Sequence, residues 1–457
     1  VTQVLRWFFK PFSNPARASR IFLWLCLPCM VAAASAIPPP WAGADSGQAP
    51  STSSGQAPSL PQVVWSEAAG ISRAPILIPS STQDTSLLAA VVGMKNADKT
   101  GSLLRYSLFS RSSLPGAYPT AVPNPYLVWS FPAPIWSLPA LADVNEDSFY
   151  ETFVATIDGR VACLAEGEAA WEFRGFGAFY SSPAVGDVDQ DGESELVVGS
   201  RDHFVYCLDA IRGKLKWRFL AGGDVDSSPA LADLQGDGGL EVVFGSDDGF
   251  VYCLSGQDGT CLWSFRANWW VTASPTIADL EGNGSLEVLV GDQTGVLYCL
   301  DGATGELIWS FPTPEPIASE AAIADLDGDG SKEVFFGADA LYCLNSSGSL
   351  LWKFAPGEYF ACTPLLLAGR TTGWVIIPGD NLYCLDAATG NLIWQRSISP
   401  RGLFDASADL RPDGDLSLAL STGYGELLLL RCPQSLGVTS IPWPKPRANL
   451  QNTGLAP

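Results

Sequence analysis

Apolar residues along this chain fall in short runs separated by turns rich in glycine and aspartate. Glu195-Leu-Val-Val-Gly199 and Val205-Tyr-Cys-Leu208 are representative: β-branched or aromatic, and bounded by polar turns. Runs of this length and composition predict strands, and no window sustains a 3.6-residue helical period. The runs also recur. A tryptophan recurs at Trp65, Trp129, Trp171, Trp217, Trp263, Trp309, Trp352 and Trp394, preceded by an apolar residue in all but Trp217, at spacings of 64, 42, 46, 46, 46, 43 and 42 residues. A small-residue start follows each one, marked by Pro75, Pro139, Pro183, Pro229, Pro275 and Pro364, with Ala321 and Asp405 standing in. Then come an acidic loop, two apolar runs, and a turn such as Asp301-Gly-Ala-Thr-Gly305 leading into the next tryptophan.

Four short strands in about forty residues, repeated, predict the blades of a β-propeller. The expected fold is all-β, an eight-bladed β-propeller of four-stranded antiparallel blades. The eighth unit, Leu403–Arg431, has no tryptophan strand of its own, whereas Trp65 precedes any complete unit. Pro61–Ser66 is therefore expected to cross over as the outer strand of blade eight and close the ring. Seven blades is the alternative, should the insertion around Ser110–Tyr126 hide a failed unit. The propeller is expected over 61–432, with a closing tail over 433–457. Ahead of it, residues 1–20 are basic and acid-free, and Ile21–Ala36 is apolar and ends in Ala34-Ser35-Ala36. That pattern predicts a signal peptide or N-terminal anchor over 1–36. Residues 37–60 form a Pro/Ser/Gly linker. The expected location is extracytoplasmic: secreted, periplasmic or at the cell surface.

The segment Tyr298-Cys-Leu-Asp-Gly-Ala-Thr-Gly-Glu-Leu-Ile-Trp309, echoed at Tyr383–Trp394, resembles the tryptophan-docking repeat of quinoprotein (PQQ-type) propellers. The loop Asp187–Glu195 is similar to the calcium loop of FG-GAP/VCBS repeats, and Trp443–Gly454 resembles the closing segment of bacterial secreted propellers. The resemblance implies the fold strongly and the chemistry weakly, because one repeat serves dehydrogenases, outer-membrane assembly scaffolds and adhesins.

Charge narrows the partners. With 26 Lys+Arg against 48 Asp+Glu the net charge is −22, which disfavours nucleic acid. A single histidine, His203, excludes multi-histidine metal sites and reads as a solvated loop residue. The acids gather in the loops. Calcium needs six to eight oxygens, which a short loop supplies from positions 1, 3, 5 and 9 and a backbone carbonyl, with glycine at position 6 for the turn. Asp187, Asp189, Asp191 and Glu195 meet this pattern, as do Asp325, Asp327, Asp329 and Glu333. Asp143, Asn145, Asp147 and Glu151 come next, then Asp279, Glu281, Asn283 and Glu287; the set at Asp233 is weaker. Two to four structural Ca²⁺ sites are expected.

Cysteine recurs once per unit, at Cys163, Cys207, Cys253, Cys299, Cys343 and Cys384, as expected of a small core residue. Pairing of Cys253 with Cys261 across a hairpin, or of Cys362 or Cys432 with a neighbour, stays open. Alternation of the strands puts the acidic loops on one face. The opposite face carries Trp269, Trp270 and Tyr359 as candidate partner-binding residues, with Phe179 and Phe360 expected in the core. No catalytic residue stands out. The favoured function is a non-catalytic, calcium-stabilised module that binds protein or glycan, as an adhesin-like unit or a subunit of a larger assembly. It would meet a membrane only through an uncleaved N-terminal segment or a partner complex. A PQQ-dependent dehydrogenase-like enzyme is the alternative, although the adjacent cysteine pair of many alcohol-oxidising members is missing.

Overall fold

The computed structural model describes the strands at 62–68, 76–78, 89–95, 101–107 and 126–131. It also describes residues 133–443 apart from 148, 166–167, 327, 370–371, 399–402, 411–415, 423–425 and 433–437, and Thr453. The expected leader and linker lie outside the described residues, as does Asp327.

Among the described residues there are strands and no helices, grouped in eight antiparallel sheets. Seven have four strands and one has five. The arrangement is that of a β-propeller. In the third sheet the order is Ala184–Gly186, Glu195–Gly199, Phe204–Asp209, Leu215–Leu220. First strands of neighbouring sheets lie side by side, and that of the last sheet, Leu403–Leu410, also meets that of the first, Ile76–Ile78. Burial follows this geometry. Second strands such as Glu195–Gly199 are buried along their whole length, because both faces meet neighbouring sheets, whereas outer strands alternate with solvent.

From the second sheet to the seventh the tryptophan sits opposite the repeating cysteine, as Cys207 pairs with Trp217, Cys253 with Trp263 and Cys299 with Trp309; in the first sheet Trp129 pairs with Leu103. The small thiol leaves room for the indole, which turns toward the next sheet. Trp217 Nε1 donates to Gly256 O at 2.6 Å, Trp263 Nε1 to Gly302 O at 2.8 Å, and Trp309 Nε1 to Ser346 O at 2.9 Å. The turn that receives the ring needs glycine. At Gly305, with φ +73°, a Cβ would lie 2.6 Å from the Trp263 ring. A second seam runs through the Ser-Pro pairs at the inner strands, where Leu138 N donates to Ser182 Oγ, Ser182 N to Ser228 Oγ and Ser228 N to Ser274 Oγ.

The N-terminal strand Gln62–Ala68 pairs with Glu426–Cys432, and Trp65 faces Leu429 in the register that tryptophan and cysteine share elsewhere. The eighth sheet takes its fourth strand from residues 62–68 rather than from the chain that follows its third. Among the described residues Trp394 Nε1 is buried without a hydrogen-bond partner.

The tail runs inward. Val438–Trp443 pairs with Leu365–Gly369, the innermost strand of the seventh sheet, and Leu231 N in the fourth sheet donates to Thr453 O at 2.9 Å. The open cysteine pairings are not formed: among the described residues Cys253, Cys261, Cys362 and Cys432 take part in no disulfide. Cys253 faces Trp263 rather than Cys261, whose Sγ instead donates to Trp263 O. Phe179 and Phe360 are fully buried, as expected.

Candidate functional site

Both faces of the sheets carry candidate chemistry. On the acidic face the loops between first and second strands share one conformation. The ninth-position glutamate is buried in all five, and its Oε2 accepts the N–H of the second residue: Glu151 from Val144, Glu195 from Val188, Glu241 from Leu234, Glu287 from Leu280 and Glu333 from Leu326. Burial pushes the carboxyls of Glu151, Glu195, Glu241 and Glu287 upward, and these hydrogen bonds work against it. First-position aspartates accept backbone N–H groups further on, as Asp279 does from Asn283 and Gly284, and Asp325 from Gly328 and Gly330. The fourth position is left-handed throughout: Glu146, Gln190, Gly236, Gly282 and Gly328 all have φ between 60° and 79°.

Oxygens of Asp187, Asp189 and Glu195 lie within 4.8 Å of one another, and Asp187 Oδ1 is buried without a hydrogen bond. This donor set has the chemistry of a hard-cation seat. Asp191 shares the seat through Lys216, whose ammonium contacts Asp189, Asp191 and Glu195. The remaining candidates occupy their expected loop positions. Asn145 Nδ2 donates to Asp147 Oδ2, whose backbone N–H is held by Asp143 and Asn145. Asn283 Nδ2 donates to Glu281. Asp329 Oδ1 accepts from Ser331 N.

On the opposite face, Trp269 and Trp270 occupy the loop between Cys261–Arg266 and Thr276–Ala278. They are 55% and 37% exposed, and their rings stack with centroids 5.9 Å apart at 27°. The loop itself is held firmly: Val271 N donates to Ser246 O, and Trp270 O accepts from Gln293 N. Phe176, 85% exposed, stands in the corresponding loop two sheets earlier. Tyr359 differs. It is half-buried, its hydroxyl donates to Pro316 O at 3.0 Å, and among the described residues it makes no ring contact with either tryptophan.

Sequence reasoning missed a polar cluster on this same face. Arg201 reaches both oxygens of Asp226, at 2.8 and 2.6 Å, and lies 3.9 Å over the Tyr180 ring. His203 Nε2 is 3.2 Å from Asp224 Oδ1. Asp247 N donates to Asp224 O, while Asp247 Oδ1 is buried without a hydrogen bond. Burial, with Asp226 and Asp224 nearby, pushes the Asp247 carboxyl up to about 7, against the opposing pull of Arg201. The available signal was Asp224-Val-Asp226 in a loop where the next unit has Trp270-Val-Thr272.

A family model described as outer membrane protein assembly factor BamB matches residues 158–331 and 329–431. The chain belongs to that family of PQQ-type repeats. The match supports the PQQ-type resemblance, while the FG-GAP/VCBS resemblance rests on loop spacing alone. Comparison with curated proteins found no match. Among solved structures, the chain is similar to the computationally designed Ika8 protein, at 14% identity over 80% of this chain and 98% of that one, with a TM-score of 0.56. It is also similar to Saccharomyces cerevisiae Sqt1, at 13% identity over 76% and 93% and a TM-score of 0.56. For BamB from Moraxella catarrhalis the identity is 15% over 64% and 96%, with a TM-score of 0.39. At these identities the likenesses to Ika8 and Sqt1 bear on fold alone.

Proposed function

We propose that this chain is a non-catalytic, extracytoplasmic protein-binding propeller that serves as a subunit of a larger assembly and meets its partner through the Trp269–Trp270 loop. The observation that carries this reading is the exposed, stacked indole pair on a loop whose backbone is pinned to its neighbours. Two indoles held in water by a rigid loop have the character of an interface hot spot, where tryptophan is enriched. Family membership agrees, since the family's description is that of an outer-membrane assembly factor. Phe176 and the Arg201–Asp226 pair would extend the contact with an apolar and a charged element.

The scaffold is read as one ring of eight blades, closed by residues 62–68 in the last sheet. Calcium is read as its stabiliser on the acidic face. Asp143, Asn145, Asp147 and Glu151 would hold one ion, Asp279, Glu281, Asn283 and Glu287 a second, and Asp325, Asp327, Asp329 and Glu333 a third. Bound there, the ion would neutralise crowded carboxylates.

The test is a double variant, Trp269→Ser/Trp270→Ser, compared with wild type for co-purification from the native source. The variant should keep its fold and calcium content and lose its protein partner. Retained partner with unchanged yield would refute the assignment. Loss of binding to immobilised glycans, with no protein partner for the wild type, would move the reading to a sugar-binding module.

A further inference from the structure

The acidic loop with the most regular sequence is the one whose cation position the chain fills by itself. Lys216 Nζ lies 2.7 Å from Asp189 Oδ2, 2.9 Å from Asp191 Oδ2 and 2.6 Å from Glu195 Oε1. These are the third, fifth and ninth positions of the loop, the oxygens a dication would need. The lysine side chain is only 27% exposed, and Glu195 is fully buried beneath it.

The lysine is peculiar to this sheet. Immediately before the docking tryptophan the other units carry Ala170, Leu262, Ile308, Leu351 and Ile393. The preceding turn departs in the same way: Arg212-Gly-Lys-Leu-Lys216 holds three bases where the next sheet has Asp258-Gly-Thr-Cys-Leu262. Arg212, in the turn just before this strand, bridges Glu193 and Asp209, so two further acids around the loop are also paired with a base.

We infer that Lys216 is the resident cation of the Asp187–Glu195 loop and takes the place of a divalent ion there. This rests on the reading that such loops seat cations, and it divides them into two kinds: one closed by a tethered ammonium, the others open to calcium. A tethered cation needs no ligand from solution, so the acidic turn of the third sheet stays neutralised when calcium is scarce. The substitution is incomplete in one respect. A single ammonium has three donors, and all three are engaged, which leaves Asp187 Oδ1 without a hydrogen bond. A dication of higher coordination number would reach that oxygen as well.

Equilibrium dialysis with calcium on the full chain tests this, using wild type, Asp189→Asn, Lys216→Met and the double variant Lys216→Met/Asp189→Asn. Asp189→Asn alone should leave the number of bound ions unchanged. Lys216→Met should gain roughly one ion, the double variant should lose it again, and calcium should raise the melting temperature of Lys216→Met more than that of wild type. Loss of an ion in Asp189→Asn would overturn the inference, as would a folded Lys216→Met that gains none. Should Lys216→Met fail to fold, Lys216→Gln is read by the same criteria. A wild type that binds no calcium, beside a Lys216→Met that binds one, would refute the calcium reading of the other loops and leave Lys216 as assigned.

Discussion

At the scale of single residues, the recurring positions were legible and the exceptions were not. The cysteine that faces the tryptophan from the second sheet to the seventh, and the buried Phe179 and Phe360, follow from periodicity, because these sheets bury the same surfaces against their neighbours. Lys216 and Asp247 are departures from the repeat, and their partners lie in loops that sequence does not place side by side. The left-handed backbone at Glu146 and Gln190 escaped notice for a related reason: other loops mark that position with glycine, and these two do not. Asp247 carries a prediction. Its carboxyl titrates near 7 in the folded chain and near 3.9 when unfolded. Between those values the native state holds the extra proton, so stability falls as pH rises through the window, and the cost is complete above 7. Asp247→Asn should remove that slope and stabilise the fold at pH 8 by about 1–2 kcal/mol, after discounting for partial exposure. Urea melts across pH 4–8 would show it, and parallel wild-type and variant curves would contradict it.

At the scale of elements, the strand boundaries were legible because apolar runs of fixed length alternate with glycine and aspartate. The acidic loops were read as ligand sets, yet their buried glutamates also clamp the second-position N–H, a structural duty that the ligand pattern does not reveal. Both roles can coexist, since the clamp uses one oxygen and leaves the other for a cation. With affinities of about 10⁻⁴ M and millimolar calcium, each occupied loop adds about 1.4 kcal/mol. Chelation should therefore lower the melting temperature, and Asp325→Ala should remove roughly one ion by metal analysis. Folded protein that carries no calcium would end this reading. On the other face, loop position alone suggested grouping Tyr359 with the tryptophans. Its hydroxyl donates to Pro316 O, because a partly buried polar tip needs an acceptor.

At the scale of the whole molecule, the missing tryptophan strand of the last unit and the surplus Trp65 together predicted the pairing of Gln62–Ala68 with Glu426–Cys432. The inward course of the tail was not legible, since nothing in Val438–Trp443 distinguishes an inner from an outer edge. With residues 62–68 as the fourth strand of the eighth sheet, Trp394 is unlike its counterparts. Trp263→Phe breaks a bond to Gly302 O and leaves a buried carbonyl, and should cost about 1–3 kcal/mol beyond the lost packing. Trp394→Phe removes an N–H that has no partner and should lack that additional cost. Equal losses in chemical denaturation would argue against the closure.

On the proposed function, the face that carries Trp269 and Trp270 meets a protein. A photoreactive amino acid placed at Trp269, with a control at the exposed outer-strand residue Leu307, tests it most directly in cells of the native source. A discrete crosslink to one extracytoplasmic protein is expected from position 269 and none from position 307. Equal crosslinking from both positions, or none from position 269 while the partner still co-purifies, would contradict it.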